Sequence, residues 1–194
     1  MNRAIFLDRD GVLIDDVDLL TRRCDVRIKE GVPESLTQLK EAGFRLIVVS
    51  NQTVVARGLA SEEEVRALEA EIEDLLVAAG APRLDGFYFC PHHPNATLPA
   101  FRVRCACRKP SPGLLLQAGR ELAIDISASV LVGDRLTDIV AGARAGCRTV
   151  LVTTGMHDAP VIETAEPFDQ SITPQHVCGS LSESVAWILG ERRA

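Results

Sequence analysis

No basic tail and no excess of positive charge mark this chain: 21 Lys and Arg stand against 27 Asp and Glu, a net charge of −6 with the signs scattered. The electrostatic footprint of a nucleic-acid binder is therefore missing. No apolar run approaches the roughly 18 residues that a membrane span requires. Met1-Asn2-Arg3 leads straight into an apolar strand without the pattern of a signal peptide, so a cytoplasmic protein is expected. Internal repeats and linkers are missing as well. With 46% hydrophobic residues in 194, a single domain over 1–194 suffices to build a core, and a monomer is the default. Six cysteines in a reducing compartment do not make a disulfide framework, so the three that cluster point to metal or catalysis.

What is present is a series of buried strands that end in polar groups. Ala4-Ile5-Phe6-Leu7 reads as a buried parallel strand that stops at Asp8-Arg9-Asp10-Gly11, two carboxylates that repel unless a cation sits between them. Residues 13–29 mix acids with Arg22, Arg23, Arg27 and Lys29 and read as a surface loop beside those aspartates. A helix is expected over 33–42, with Pro33 near its first turn and Gly43 as its stop, then a strand over 44–49 that ends in Ser50-Asn51-Gln52-Thr53. Those hydroxyl and amide groups, with Arg57 in the same loop, suit an oxyanion. Ser61 and Glu64 form a capping box for a helix to about Ala79, with Val65, Leu68, Ile72, Leu75 and Leu76 as core. A third strand covers 87–89. Ser111-Pro112 starts a helix to about Leu122, a fourth strand over 130–132 stops at Gly133-Asp134, and the next helix carries Asp138. A fifth strand covers 149–152. Beyond it a loop with one helical turn near 161–165 precedes a last helix, opened by a Ser180–Glu183 capping box.

Strands alternating with helices imply an α/β doubly wound, three-layer sandwich: a parallel sheet with helices on both faces. Its strand tips share one edge, so Asp8, Asp10, Ser50, Lys109 and Asp134 converge there. Three acids, a hydroxyl and a lysine match phosphoryl transfer. Asp8 and Asp134 would hold Mg²⁺, and Lys109 with the metal would neutralise phosphoryl oxygens. Asp8 would attack phosphorus, and Asp10 would protonate the leaving alcohol and then take a proton from water.

Asp8-Arg9-Asp10-Gly11-Val12, Ser50, Lys109 and Gly133-Asp134 with Asp138 resemble, in order, the four motifs of the haloacid dehalogenase superfamily of phosphohydrolases. The resemblance covers nearly the whole chain and implies a Rossmann-like fold, Mg²⁺ dependence, the backbone carbonyl of Asp10 as a further metal ligand, and Asp138 behind the site. Both intervals where cap domains are inserted are too short for one, so an essentially capless site is expected. A narrower resemblance lies in Asp8-Arg9-Asp10-Gly11, Ser50-Asn51-Gln52 with Ala56-Arg57-Gly58, Cys90-Pro91-His92-His93-Pro94 and Cys105-Ala106-Cys107-Arg108-Lys109-Pro110. These are similar to the subfamily of heptose bisphosphate and histidinol-phosphate phosphatases. That similarity implies a structural Zn²⁺ on Cys90, His92, Cys105 and Cys107, and Arg108 and Lys109 contacting a small phosphorylated metabolite. The donor set agrees, since Cys-x-His and Cys-x-Cys supply three sulfurs and one nitrogen, a closed tetrahedral number that pins the 90–110 loop. His93 is read as a neighbour, and Cys24, Cys147 and Cys178 as small apolar packing residues.

The chain departs from the heptose pattern where Asp-His-Gly-Tyr becomes Asp16-Val17-Asp18-Leu19, Ser-Gly-Ile becomes Thr53-Val54-Val55, and a lysine becomes Arg135. Asn51, Gln52, Thr53, Arg57, Arg108 and Arg135 are the expected substrate-binding set. Arg22 and Arg23 are candidates for a second phosphate. A heptose bisphosphate 7-phosphatase is the first reading; a histidinol-phosphate phosphatase and a non-hydrolytic phosphoacceptor module are the alternatives.

Overall fold

The structure, a computed structural model, describes residues 2–155 and 171–190. Its centre is strand β1 (Arg3–Leu7), whose last four residues are buried. Parallel neighbours flank it, β2 (Phe44–Asn51) on one side and β4 (Val130–Gly133) on the other. With β3 (Gly86–Cys90), β5 (Arg148–Val152) and β6 (His176–Cys178) the sheet has six parallel strands in the order β3-β2-β1-β4-β5-β6. The chain winds outward from β1 to β3, then returns to the centre and winds the other way. A crevice for a ligand therefore opens at the carboxyl ends of β1 and β4, where the order reverses.

Strand periodicity divides the core. Ile5 and Leu7 face one side with Leu36 and Leu39 of α1 (Val32–Glu41), Leu68, Ile72 and Leu76 of α3 (Glu62–Ala78) and Leu181, Val185 and Ile188 of α6 (Leu181–Leu189). Ala4 and Phe6 face the other, with Leu114, Leu115 and Ala118 of α4 (Gly113–Glu121) and Ala141 of α5 (Leu136–Ala145). This is the expected three-layer α/β sandwich.

Local readings differ at several places. β6 was not foreseen, because three residues with one strongly exposed carry almost no period. Thr53–Ala56 form a short helix, α2, rather than loop, with Val54, Val55 and Ala56 buried. The 13–29 stretch is no mere surface loop: Leu13, Ile14, Leu20 and Val26 join the core, and Ile14 bridges both Asp10 and Ile28. α4 begins at Gly113 with no side-chain cap from the preceding residues. At α6, Ser180 accepts the Glu183 N–H, but the Glu183 carboxylate takes the Gly179 N–H at 2.8 Å, so only half of the capping box forms. The capping box of Ser61 and Glu64 is complete. Cys147 is buried as expected, Cys24 is exposed and Cys178 half-buried. The helical turn expected near 161–165 lies outside the described residues.

Candidate active site

Leu7 of β1 pairs with Val132 of β4, and the Asp8 N–H donates to Val132 O at 3.0 Å. The residues that follow, Asp8 and Asp134, thus leave adjacent strands side by side. Asp138 comes from the first turn of α5, where its Oδ2 accepts the Arg135 N–H at 3.1 Å. One carboxylate oxygen from each of the three lies within 4.8 Å of the others. The backbone has to make room: Gly11 has φ +80, and a Cβ there would come 2.4 Å from Asp134 Oδ2. A Cβ at Gly133 would stand 2.3 Å from that of Asp138.

Against this charge stands one buried ammonium. Lys109 Nζ lies 3.0 Å from Asp8 Oδ1 and 2.7 Å from Asp138 Oδ1, and donates to Val49 O at 2.8 Å. Burial by itself would lower its pKa, but Asp138 and Asp8 outweigh it and hold the lysine charged. Asp134 has only the half-exposed Arg135, whose Nε is 3.9 Å from Oδ2, and both its buried oxygens lack a hydrogen bond. Burial, then Asp8 and Asp138, push it up to about 8, and burial pushes Asp138 up to about 6. Buried oxygens without donors, converging from three carboxylates, are a hard-cation donor set, and Mg²⁺ fits it.

Asp10 turns elsewhere. Its carboxylate accepts from Arg9 Nε and Nη2, at 3.1 and 2.9 Å on Oδ1 and 2.8 Å on Oδ2, and from Gln52 Nε2 at 3.2 Å. Its side chain is therefore outside the carboxylate cluster, whose third member is Asp138; the metal contact expected of Asp10 is that of its backbone carbonyl, not its side chain. Burial outweighs Arg9 and leaves the Asp10 pKa raised. Gln52 also donates to Ser50 Oγ at 2.8 Å. Asn51 grips the Lys109 backbone from both ends, accepting its N–H and donating to its carbonyl, each at 3.1 Å. Asn51 and Gln52 thus brace Lys109 and Asp10. Thr53 opens α2, Arg57 caps it and is exposed, and Arg135, half exposed, donates to Asp16 at 2.8 Å. Arg22 pairs with Asp25.

Behind Lys109 lies the second cluster. Cys107 Sγ is 3.0 Å from Cys90 Sγ, 3.3 Å from Cys105 Sγ and 3.3 Å from His92 Nδ1. All four donor atoms lie within 4.8 Å of one another. The Cys90 thiol holds Cys107 down to about 5, while the same contact and burial push Cys90 up. One thiolate among thiols and an imidazole is a soft donor set of the kind zinc takes. Arg108 donates to His92 O at 3.0 Å, tying the two halves of the loop. His93 stands outside, its Nδ1 accepting the Asn95 N–H at 3.1 Å.

A family model described as HAD-hydrolase-like matches residues 106–184. D-glycero-β-D-manno-heptose-1,7-bisphosphate 7-phosphatase of Photorhabdus laumondii is 44% identical over 153 residues, 78% of this chain and 81% of that one. The enzyme of the same name from Escherichia coli K12 is 43% identical over 84% of this chain and 85% of its own length. The chain belongs to this family of HAD-type phosphatases. A solved member of the family, D,D-heptose 1,7-bisphosphate phosphatase from B. bronchiseptica complexed with magnesium and phosphate, superposes with a TM-score of 0.77 at 30% identity, covering 98% of this chain and 99% of that one.

Two buried residues of this family member have no role assigned by the motifs: Arg9, inside the first of them, and Glu69, on a helix whose periodicity marks it as core. Glu69 interrupts the apolar stripe Val65, Leu68, Ile72, Leu76, and an acid on the inward face of a helix was the available signal. Among the described residues no helix is long and apolar enough to cross a membrane.

Proposed function

We propose that this chain removes the 7-phosphate of D-glycero-D-manno-heptose 1,7-bisphosphate, with Asp8 as nucleophile. The observation that carries the reading is the 43–44% identity to enzymes of that name over about four fifths of the chain, joined to the carboxylate cluster at the β1 and β4 tips.

Asp8 and Asp134, with the Asp10 carbonyl that the family resemblance implies, would hold Mg²⁺. Bound there, the ion supplies charge neutralisation at the phosphoryl oxygens. The chain's own groups do the rest. The Asp8 carboxylate forms a bond to phosphorus as the bond to the sugar oxygen breaks, and Asp10 gives that oxygen its proton. Asp10 then takes a proton from water, which attacks phosphorus, restores the Asp8 carboxylate and releases inorganic phosphate. Lys109, 3.0 Å from Asp8 Oδ1, aims that carboxylate, and Ser50 lies at the same edge as a hydrogen-bonding group for the phosphate. Arg108, Arg57, Thr53 and Arg135 serve the substrate around the mouth. Cys90, His92, Cys105 and Cys107 would hold a structural Zn²⁺, which would pin the loop carrying Lys109. Three thiols that must stay reduced support a cytoplasmic location, and the chain is read as a single-domain monomer.

The test is side-by-side kcat/KM for the β anomer of the heptose bisphosphate and for histidinol phosphate, with Mg²⁺. A preference of at least about tenfold for the heptose compound, abolished in Asp8→Asn, is expected. Preference for histidinol phosphate, or equal rates for Asp8→Asn and the parent, overturns the reading.

A further inference from the structure

Asp10 does not stand free at the strand tip. The Arg9 fork that holds both its oxygens is itself held from behind, with Nη1 2.5 Å from Glu69 Oε1. Arg9 and Glu69 are 2% and 8% exposed. No step of the proposed reaction uses the charge of either. The triad sets one guanidinium between the carboxyl groups of Asp10 and Glu69 and sits beside three more carboxyl groups. A buried ion group of this kind carries a desolvation cost that an apolar filling would not, so stability alone gives no reason for it. What a planar guanidinium anchored at both ends does supply is direction, because its hydrogen bonds to both oxygens of Asp10 fix the plane of that carboxylate. The same residue orients the nucleophile, since the Arg9 N–H donates to Asp8 Oδ1 at 2.7 Å.

We propose that Glu69, reaching from α3, is a positioning residue of the acid–base step: through Arg9 it holds the Asp10 carboxyl in the orientation from which a proton reaches the leaving oxygen. The inference rests on Asp10 being the general acid, and it ties a helix read as core to the chemistry.

A merely structural Glu69 would not care which alcohol departs. Phenyl phosphate and p-nitrophenyl phosphate are nearly alike in shape, but phenoxide needs a proton to leave well and nitrophenoxide does not. Their kcat/KM values cover the steps through the first P–O cleavage, before Asp10 acts on water. Asp10→Asn is expected to lower the ratio of phenyl to nitrophenyl kcat/KM by about 10². Glu69→Ala should lower it by about tenfold, the effect of a misplaced acid rather than a missing one. Glu69→Gln, which keeps an oxygen for Arg9 Nη1, should recover most of the ratio. Equal losses on both substrates, or an unchanged ratio in Glu69→Ala while Asp10→Asn lowers it, overturn the role of Glu69 and leave that of Asp10 standing. An unchanged ratio in Asp10→Asn overturns both. Should Glu69→Ala fail to fold, Glu69→Asp, charged but one methylene short, is read by the same ratio, and no fall there overturns the proposal.

Discussion

Asp134→Asn is expected to make the magnesium-free protein more stable and the magnesium-loaded protein relatively less so. Asp8, Asp134 and Asp138 bring three carboxylate oxygens within 4.8 Å, and Lys109 pairs with the first and last of them only. At that separation and an effective dielectric constant of about 20, each like-charge pair repels by roughly 3–4 kcal/mol. Asp134, without a hydrogen-bond donor and pushed up to about 8, bears most of this. Its folded pKa lies above the unfolded value of about 3.9, so the native state binds more protons than the unfolded state between those limits. Metal-free stability should therefore fall as pH rises from about 4 to about 8, and the asparagine variant should lose most of that slope. A relief of about 2–4 kcal/mol at pH 7.5 corresponds to a Tm higher by about 5–10 °C in a chain of this length. Magnesium works against this advantage. At a hundred times Kd it adds about 2.7 kcal/mol to the parent and nothing to a variant that has lost a ligand. The assay is a pair of thermal melts in buffer freed of magnesium by dialysis rather than by a strong chelator, so that the cysteine cluster keeps its metal. A lower Tm for Asp134→Asn without magnesium, or equal gains for both proteins with it, would refute the reasoning.

Replacing Cys107 by Ser should remove bound zinc and lower kcat at least tenfold although no step touches the sulfur, because Lys109 lies two residues on in the pinned loop; zinc content and phosphate release report the two effects. Asp85 accepts the Leu46 N–H at 2.7 Å and pairs with Lys40 and Arg45 at 2.6 and 2.7 Å. Burial would raise its pKa, but Lys40, the Leu46 amide and Arg45 outweigh it and hold the carboxyl below its usual range. Asp85→Ala should cost about 2 kcal/mol in denaturant melts at pH 7, with activity intact. That contribution is present above the ordinary carboxylate pKa and lost as pH falls through the lower folded one, so the gap between variant and parent should shrink below about pH 4.

The fold was legible because strand and helix periods alternate along most of the chain. Four apolar residues ending in Asp8, and three followed by Gly133-Asp134, read as strands whose tips carry carboxylates, and winding places such tips on one edge. The cysteine–histidine loop was legible for a different reason: its chemistry lies in residue types and spacing, not in packing. What escaped were features with too few residues to show a period, such as β6, and features in which polar side chains serve the backbone. The double grip of Asn51 on Lys109 and the half-formed cap at Ser180 belong to the second kind. Residues 13–29 look like surface because charged residues are as frequent there as apolar ones, yet Leu13, Ile14, Leu20 and Val26 face inward.

Composition and order along the chain determined the layers of this protein, the edge at which its chemistry sits and the atoms available there, since these follow from local periodicity and from the handed winding of parallel strands. Only the tertiary structure decided how the charges are shared: Lys109 between Asp8 and Asp138, Asp134 left without a donor, and Asp10 turned to Arg9 and through it to Glu69, sixty residues away. Pairing among buried ions depends on distances of a few ångströms between distant segments, and no spacing along a chain contains them.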